Sequence, residues 1–235
     1  MLERMSSDRG LSEELRMMRQ SCRDFVDEVV LPFIKKNWKN EWSMVPEDRL
    51  PPHILEEAEK IGIRTLGVPE EFGGVELEKG TEVKTFAVVS EEIARGDSGL
   101  ADKMVQNWKV SVLLRQFAPK HLQEKWFKRL VAEPQFLMAH CLTEPRGASD
   151  RWLPYNVPEA AMQTKAVKTN GGWVINGRKQ FISSGNGQVG VLLARVLIHW
   201  RPGLVASLLQ SIRRLQFHAP HPRPSPDTQP PGRNQ

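Results

Sequence analysis

The sequence predicts an α+β fold, helical in its first part and built of short strands in its middle. Three observations carry that reading. Apolar residues recur at spacings of three and four up to Pro134, the period of amphipathic helices. From Phe136 the apolar runs shorten and are punctuated by Asn-Gly dipeptides, the mark of strands joined by hairpins. Beyond Gln188 both patterns fade, and the chain closes on APHPRPSPDTQPPGRNQ, too rich in proline and too poor in apolar residues to pack. The expected organisation is a helical domain over 1–134, a partial, β-barrel-like domain over 135–195 and an irregular tail over 196–235.

The first helix is expected from Ser12, a suitable N-cap, with Leu15, Met18, Cys22, Phe25, Val26, Val29 and Val30 on its apolar face. Pro32 is expected to restrain its continuation, and a linker containing Trp38 and Trp42, both read as packing residues, leads to Pro46. A second helix starts at Pro51 or Pro52 and buries Ile54, Leu55, Ala58 and Ile61 before Gly62 stops it. LGVPEEFGG, Leu66 to Gly74, has one proline and several glycines and reads as a loop of defined turns. Val83, Phe86, Ala87, Val89, Ile93 and Ala94 would form the apolar face of the next helix, and Glu91 and Glu92 a polar one. Met104 to Phe117 and Pro119 to Leu130 complete the helical set.

Strands are expected at Phe136 to Leu142, Met162 to Thr169, Gly172 to Asn176, Gln180 to Ser183 and Val189 to Val196. The formal charge of +5 is concentrated late: residues 186–235 carry Arg195, Arg201, Arg213, Arg214, Arg223 and Arg233 against Asp227 alone. The rest is nearly balanced, which gives no basic face for nucleic acid. Cys22 and Cys141 are the only cysteines, with no CxxC spacing, so neither a disulfide framework nor a thiolate metal site is expected. No run reaches the length of a membrane span, and the N-terminus lacks an apolar signal region. The expected location is cytoplasmic.

Two segments stand out chemically: AHCLTEPRGASD, Ala139 to Asp150, and GGWVINGRKQFISSGN, Gly171 to Asn186. Hydroxyls at Thr143 and Ser149, with small residues at Gly147 and Ala148, suit the polar edge of a flat heteroaromatic ring and a diphosphate. Small-residue turns do the same without any ligand. His140, within an apolar strand, reads as a packing residue rather than a catalytic imidazole, and Cys141 as a small buried hydrophobe.

These segments resemble the CxTEPxxGSD and INGxKxWITNG motifs of the acyl-CoA dehydrogenases. GVPEEFGG at Gly67 to Gly74 and SEEIARGDSGLA at Ser90 to Ala101 are similar to that family's helical domain, and the likeness extends from Leu11 to Gly190. The resemblance implies FAD as cofactor, with His140, Leu142, Thr143, Ser149, Phe181, Ile182 and Ser183 around it. Thr143 matches a threonine bonded to the flavin ring, and Leu142 supplies backbone at the same edge. Ser149 matches a serine near the diphosphate and the thioester substrate. Phe181 stands where an aromatic packs on the flavin, and Ser183 where a hydroxyl is directed at N5. Arg146 and Ala148 replace glycines of the motif.

The implied activity is α,β-dehydrogenation of an acyl-CoA thioester, with an electron-transferring flavoprotein as acceptor and a homo-oligomeric assembly. The family's catalytic glutamate belongs to a C-terminal helical bundle with no counterpart in this sequence, so a truncated, inactive chain is expected, without a catalytic residue of its own. Two other readings are a flavin monooxygenase of the same fold and a non-catalytic helical interaction fragment.

Overall fold

The computed structural model describes residues 10–44, 46–145, 163–170, 172–184, 189–193, 195–196 and 207–208. Helix α1, Glu13–Phe25, begins where expected: the Ser12 hydroxyl accepts from the Leu15 amide at 3.3 Å, and Leu15, Cys22 and Phe25 face the core. Pro32 does not end it. A π turn over Val26–Val30, in which the Leu31 amide donates to the Val26 carbonyl, leads directly into α2, Leu31–Asn37. A proline within regular α-helix loses one amide bond and crowds the carbonyl four residues back; Pro32 stands instead in the first turn of α2, directly after the wider turn, and the coil passes through. A 3₁₀ turn follows over Trp38–Ser43, and Trp38 is 60% exposed, so it is a surface residue and not packing.

After the short α3, Pro46–Arg49, helix α4 spans Pro52–Lys60 with Pro52 in its first turn. Ile54, Leu55 and Ala58 are buried, whereas Ile61 lies past the last turn and is partly exposed. Gly62 takes the left-handed conformation at φ 72° that stops the helix. The loop from Leu66 to Gly74 folds on itself: Gly67 N–H donates to the Val75 carbonyl at 2.8 Å, and Val75 N–H donates to that of Thr65 at 3.2 Å. Gly74 is obligatory there, because a Cβ at that position would lie 2.3 Å from Val68 Cβ.

Helices α5 (Glu82–Gly96), α6 (Ser98–Phe117) and α7 (Lys120–Ala132) complete the helical part. The buried face of α5 is Thr85, Val89, Glu92 and Ile93, so Val83, Ala87 and Ala94, expected inside, are exposed. Glu92, expected on a polar face, is 2% exposed. It receives Arg19 Nε at 2.8 Å and Arg23 at 2.6 and 3.2 Å, with Arg95 Nε 3.5 Å away. One carboxylate thereby joins α1 to α5. Two apolar clusters fill the interior, one around Val26, Ile54, Ile93 and Trp108, the other around Val110, Phe127, Leu130 and Phe136. Arg64, fully buried, links them to the start of the β region: it reaches Glu59 at 2.7 Å and donates to the carbonyls of Leu130 and Phe136.

Among the described residues the β region holds two small sheets. In the first, β1 (Met138–Cys141) pairs in parallel with β4 (Val189–Leu193), which pairs antiparallel with β6 (Ser207–Leu208). In the second, β2 (Lys165–Thr169) pairs antiparallel with β3 (Gly172–Asn176), the hairpin that Asn170-Gly171 anticipates, and in parallel with β5 (Arg195–Val196). A helical domain followed by a small β region is thus the observed fold class. Gln180 to Ser183 is not a strand: Phe181 takes φ 55°, which breaks an extended run. The short strand β6 lies in the stretch expected to be irregular; the prolines after it lie outside the described residues. Among the described residues no helix is long and apolar enough to cross a membrane, and no group of three or more His, Cys, Asp or Glu gathers to hold a metal.

Candidate functional site

The site begins with the docking of β1 on α6. Asn107, fully buried on α6, accepts the Met138 amide through Oδ1 at 2.8 Å and so sets the height at which the strand leaves the helices. Met138, Ala139 and Cys141 are buried, and His140 is half-buried between them. The strand ends at Cys141, and the following residues turn out of the sheet, with Leu142 N–H donating back to the His140 carbonyl at 3.1 Å.

Leu142, Thr143 and Glu144 then meet the segment after β3. Gln180 N–H donates to the Thr143 carbonyl at 3.0 Å, and the Gln180 side chain donates to the Glu144 carbonyl at 3.3 Å. Lys179 Nζ bridges the Leu142 carbonyl at 3.0 Å and Glu144 Oε1 at 2.8 Å. Glu144 also accepts the amides of Gln163 at 2.6 Å and Thr164 at 2.9 Å, which ties the entry to β2 into the same knot. The Lys179 and Glu144 side chains are 2% and 5% exposed, so the pair is desolvated, and further hydrogen bonds to the Leu142 carbonyl and from the Gln163 and Thr164 amides offset that cost. Burial pushes the Glu144 carboxyl up, but the bonds from Lys179, Thr164 and Gln163 outweigh it and hold the group below the usual carboxylate range. Burial raises the Cys141 thiol, opposed by Lys179, which leaves it protonated and inert.

Beyond the knot the chain alternates abruptly. Phe181 is 86% exposed, while Ile182 turns inward against Ala139 and Cys141. Ser183 is half-buried, and Ser184, also at positive φ, is buried with its hydroxyl unpartnered among the described residues. Thr143 and Phe181 therefore flank one backbone hydrogen bond, with an uncovered aromatic ring beside a polar edge. Ser149, Arg146 and Ala148 lie outside the described residues.

The structure thus brings His140, Leu142, Thr143, Phe181, Ile182 and Ser183 into one neighbourhood. Sequence reasoning passed over Glu144, Lys179 and Gln180, which hold it together. Both charged residues stand inside the two matched motifs, yet a lysine and a glutamate so far apart in sequence read as solvated until the fold shows them buried.

A model of the acyl-CoA dehydrogenase N-terminal domain matches residues 12–134, more than half of the chain. The chain belongs to the acyl-CoA dehydrogenase family. Within it, the chain is 33% identical over 187 residues to (2S)-methylsuccinyl-CoA dehydrogenase of Cereibacter sphaeroides, covering 79% of this chain and 31% of that protein. Glutaryl-CoA dehydrogenase of Desulfococcus multivorans is 30% identical over 180 residues, covering 75% of this chain and 41% of the relative. Among solved structures, the acyl-CoA dehydrogenase of Bacillus anthracis complexed with FAD superposes with a TM-score of 0.61 at 26% identity, over 80% of this chain and 29% of the other. The chain therefore spans less than half the length of these family members.

Proposed function

We propose that this chain forms the helical domain and the flavin-edge part of an FAD-dependent dehydrogenase that introduces an α,β double bond into an acyl-CoA thioester. The observation that supports it most directly is the knot joining Leu142–Glu144 to Lys179–Phe181, which sets the two family motifs side by side with Phe181 uncovered. In this reading residues 1–134 and 135–195 are separate domains. Thr143 binds the polar edge of the ring, Phe181 covers one face, and Ser183 lies toward the reactive nitrogen. His140, Leu142 and Ile182 form the wall behind them, and Ser149 approaches the diphosphate and the thioester.

FAD, when bound, supplies the hydride acceptor. The chain's own residues orient it and exclude water from its edge. Glu144 is not the base for the α-proton: its oxygens are occupied by Lys179 and two amides, and a carboxyl held below its usual range is a poor proton acceptor. That proton goes to a carboxylate supplied from outside this knot. An electron-transferring flavoprotein as acceptor, a homo-oligomeric assembly, a cytoplasmic location and a part in fatty acid metabolism belong to the same reading.

The test is to purify the full chain, titrate it with FAD and follow flavin absorbance and fluorescence, with Phe181→Ala alongside. The parent should take up FAD, and loss of one stacking ring should weaken uptake by about fivefold, on the order of 1 kcal/mol for an aromatic contact. Because Phe181 is exposed, the variant should unfold like the parent. A parent chain that takes up no FAD would overturn the proposal.

A further inference from the structure

We infer that Lys179 and Glu144 are positioning residues for the flavin edge: the buried pair holds the Leu142–Thr143 backbone at a set height against Gln180 and Phe181, without touching the ring. This rests on the FAD reading above. Lys179 Nζ donates to the Leu142 carbonyl at 3.0 Å and to Glu144 Oε1 at 2.8 Å. Glu144 in turn is fastened to the amides of Gln163 and Thr164, and its own carbonyl to the Gln180 side chain. Three stretches that are distant in sequence and lie outside regular strands are therefore fixed by one ion pair. No apolar cluster does that work there: the only buried members of the neighbouring cluster among the described residues are Ala139 and Cys141, both small. A loop edge without a large core beneath it takes its geometry from its hydrogen bonds, and binding sites need their first contacts supported in this way.

A buried pair can also be merely structural, and the two roles separate in a double substitution. Lys179→Met leaves the Glu144 charge buried with two amides but no countercharge, which destabilises the fold whatever the function. Adding Glu144→Gln removes that charge, so Lys179→Met/Glu144→Gln should recover most of the parent's resistance to urea. The bond to the Leu142 carbonyl is still absent in the double variant. We expect its FAD dissociation constant, measured by flavin fluorescence on the full chain, to stay about tenfold or more above the parent's, with a blurred flavin absorbance band reporting a looser ring. Recovery of FAD affinity together with stability would overturn the positioning role, as would an unchanged affinity in Lys179→Met. A parent that binds no FAD removes the underlying reading as well, and so differs visibly from failure of this inference alone.

Discussion

Replacing Glu92 with glutamine tests the junction between α1 and α5. The carboxylate is 2% exposed and bonded by Arg19 and Arg23, with Arg95 beside it. Burial alone would raise its pKa, but the bonds and charges of Arg23 and Arg19 prevail and lower it from the ordinary 4.5 to about 2. At about 1.4 kcal/mol per tenfold change in proton affinity, that difference amounts to about 3 kcal/mol of folding stability. The sign follows from the depressed folded-state value: the contribution is complete above the unfolded pKa near 4.5 and is lost as pH falls toward 2. Glu92→Gln keeps the shape but leaves the buried Arg19 without its countercharge, and removing one partner of a buried pair costs about 3–5 kcal/mol. The two routes agree. Urea unfolding followed by the fluorescence of the buried Trp108 should show the variant about 3 kcal/mol less stable at neutral pH. The gap should close between pH 4.5 and 2, where the parent's carboxylate protonates. A gap that stays constant across that range, or one below about 0.5 kcal/mol at neutral pH, would refute the reasoning.

Gly74→Ala should destabilise by about 1–3 kcal/mol, because its Cβ would meet Val68 Cβ at 2.3 Å and the Val68 carbonyl oxygen at 2.6 Å; thermal unfolding of the variant checks this. Burial, with the Glu92 charge adding to it, pushes the Cys22 thiol up to about 12, so iodoacetamide should leave Cys22 unmodified in the folded chain near neutral pH and alkylate it in urea, as mass spectrometry would show.

Where a local signal decides an element, the sequence is a sufficient guide. Ser12 caps α1 because a hydroxyl at that place answers an amide three residues on, and the short gap between Thr169 and Gly172 lets β2 and β3 pair for equally local reasons. Where a distant partner decides, it is not. Val83 has the right spacing for the buried face of α5, yet it is 81% exposed at the helix start, whereas the charged Glu92 is drawn inside by arginines from α1. Gln180 to Ser183 has strand-like composition but is bent by the knot beneath it, which exists only because Lys179 and Glu144 meet across 35 residues of sequence. The family motifs contain Thr143 and Phe181, which the fold sets close together, but gave no sign of the fastening by Lys179 and Glu144. Ser149 lies outside the described residues, and its part remains a proposal.

The π turn at Val26–Val30 amounts to one surplus residue in a continuous coil. Deleting one of those five would let the coil close as an ordinary α-helix with the residues after it still in phase, whereas the same loss from a regular stretch of α1 would turn everything after it by about 100°. With one of the five gone, Phe33 and Ile34 would keep their side of the coil against the cluster around Val26 and Ile54, while Gly96, whose missing side chain makes room for Val26 and Val30, would face an altered ridge. The wider turn is thus a local reserve of one residue in the helical domain, held beside the ion pair of Asp27 with Arg95.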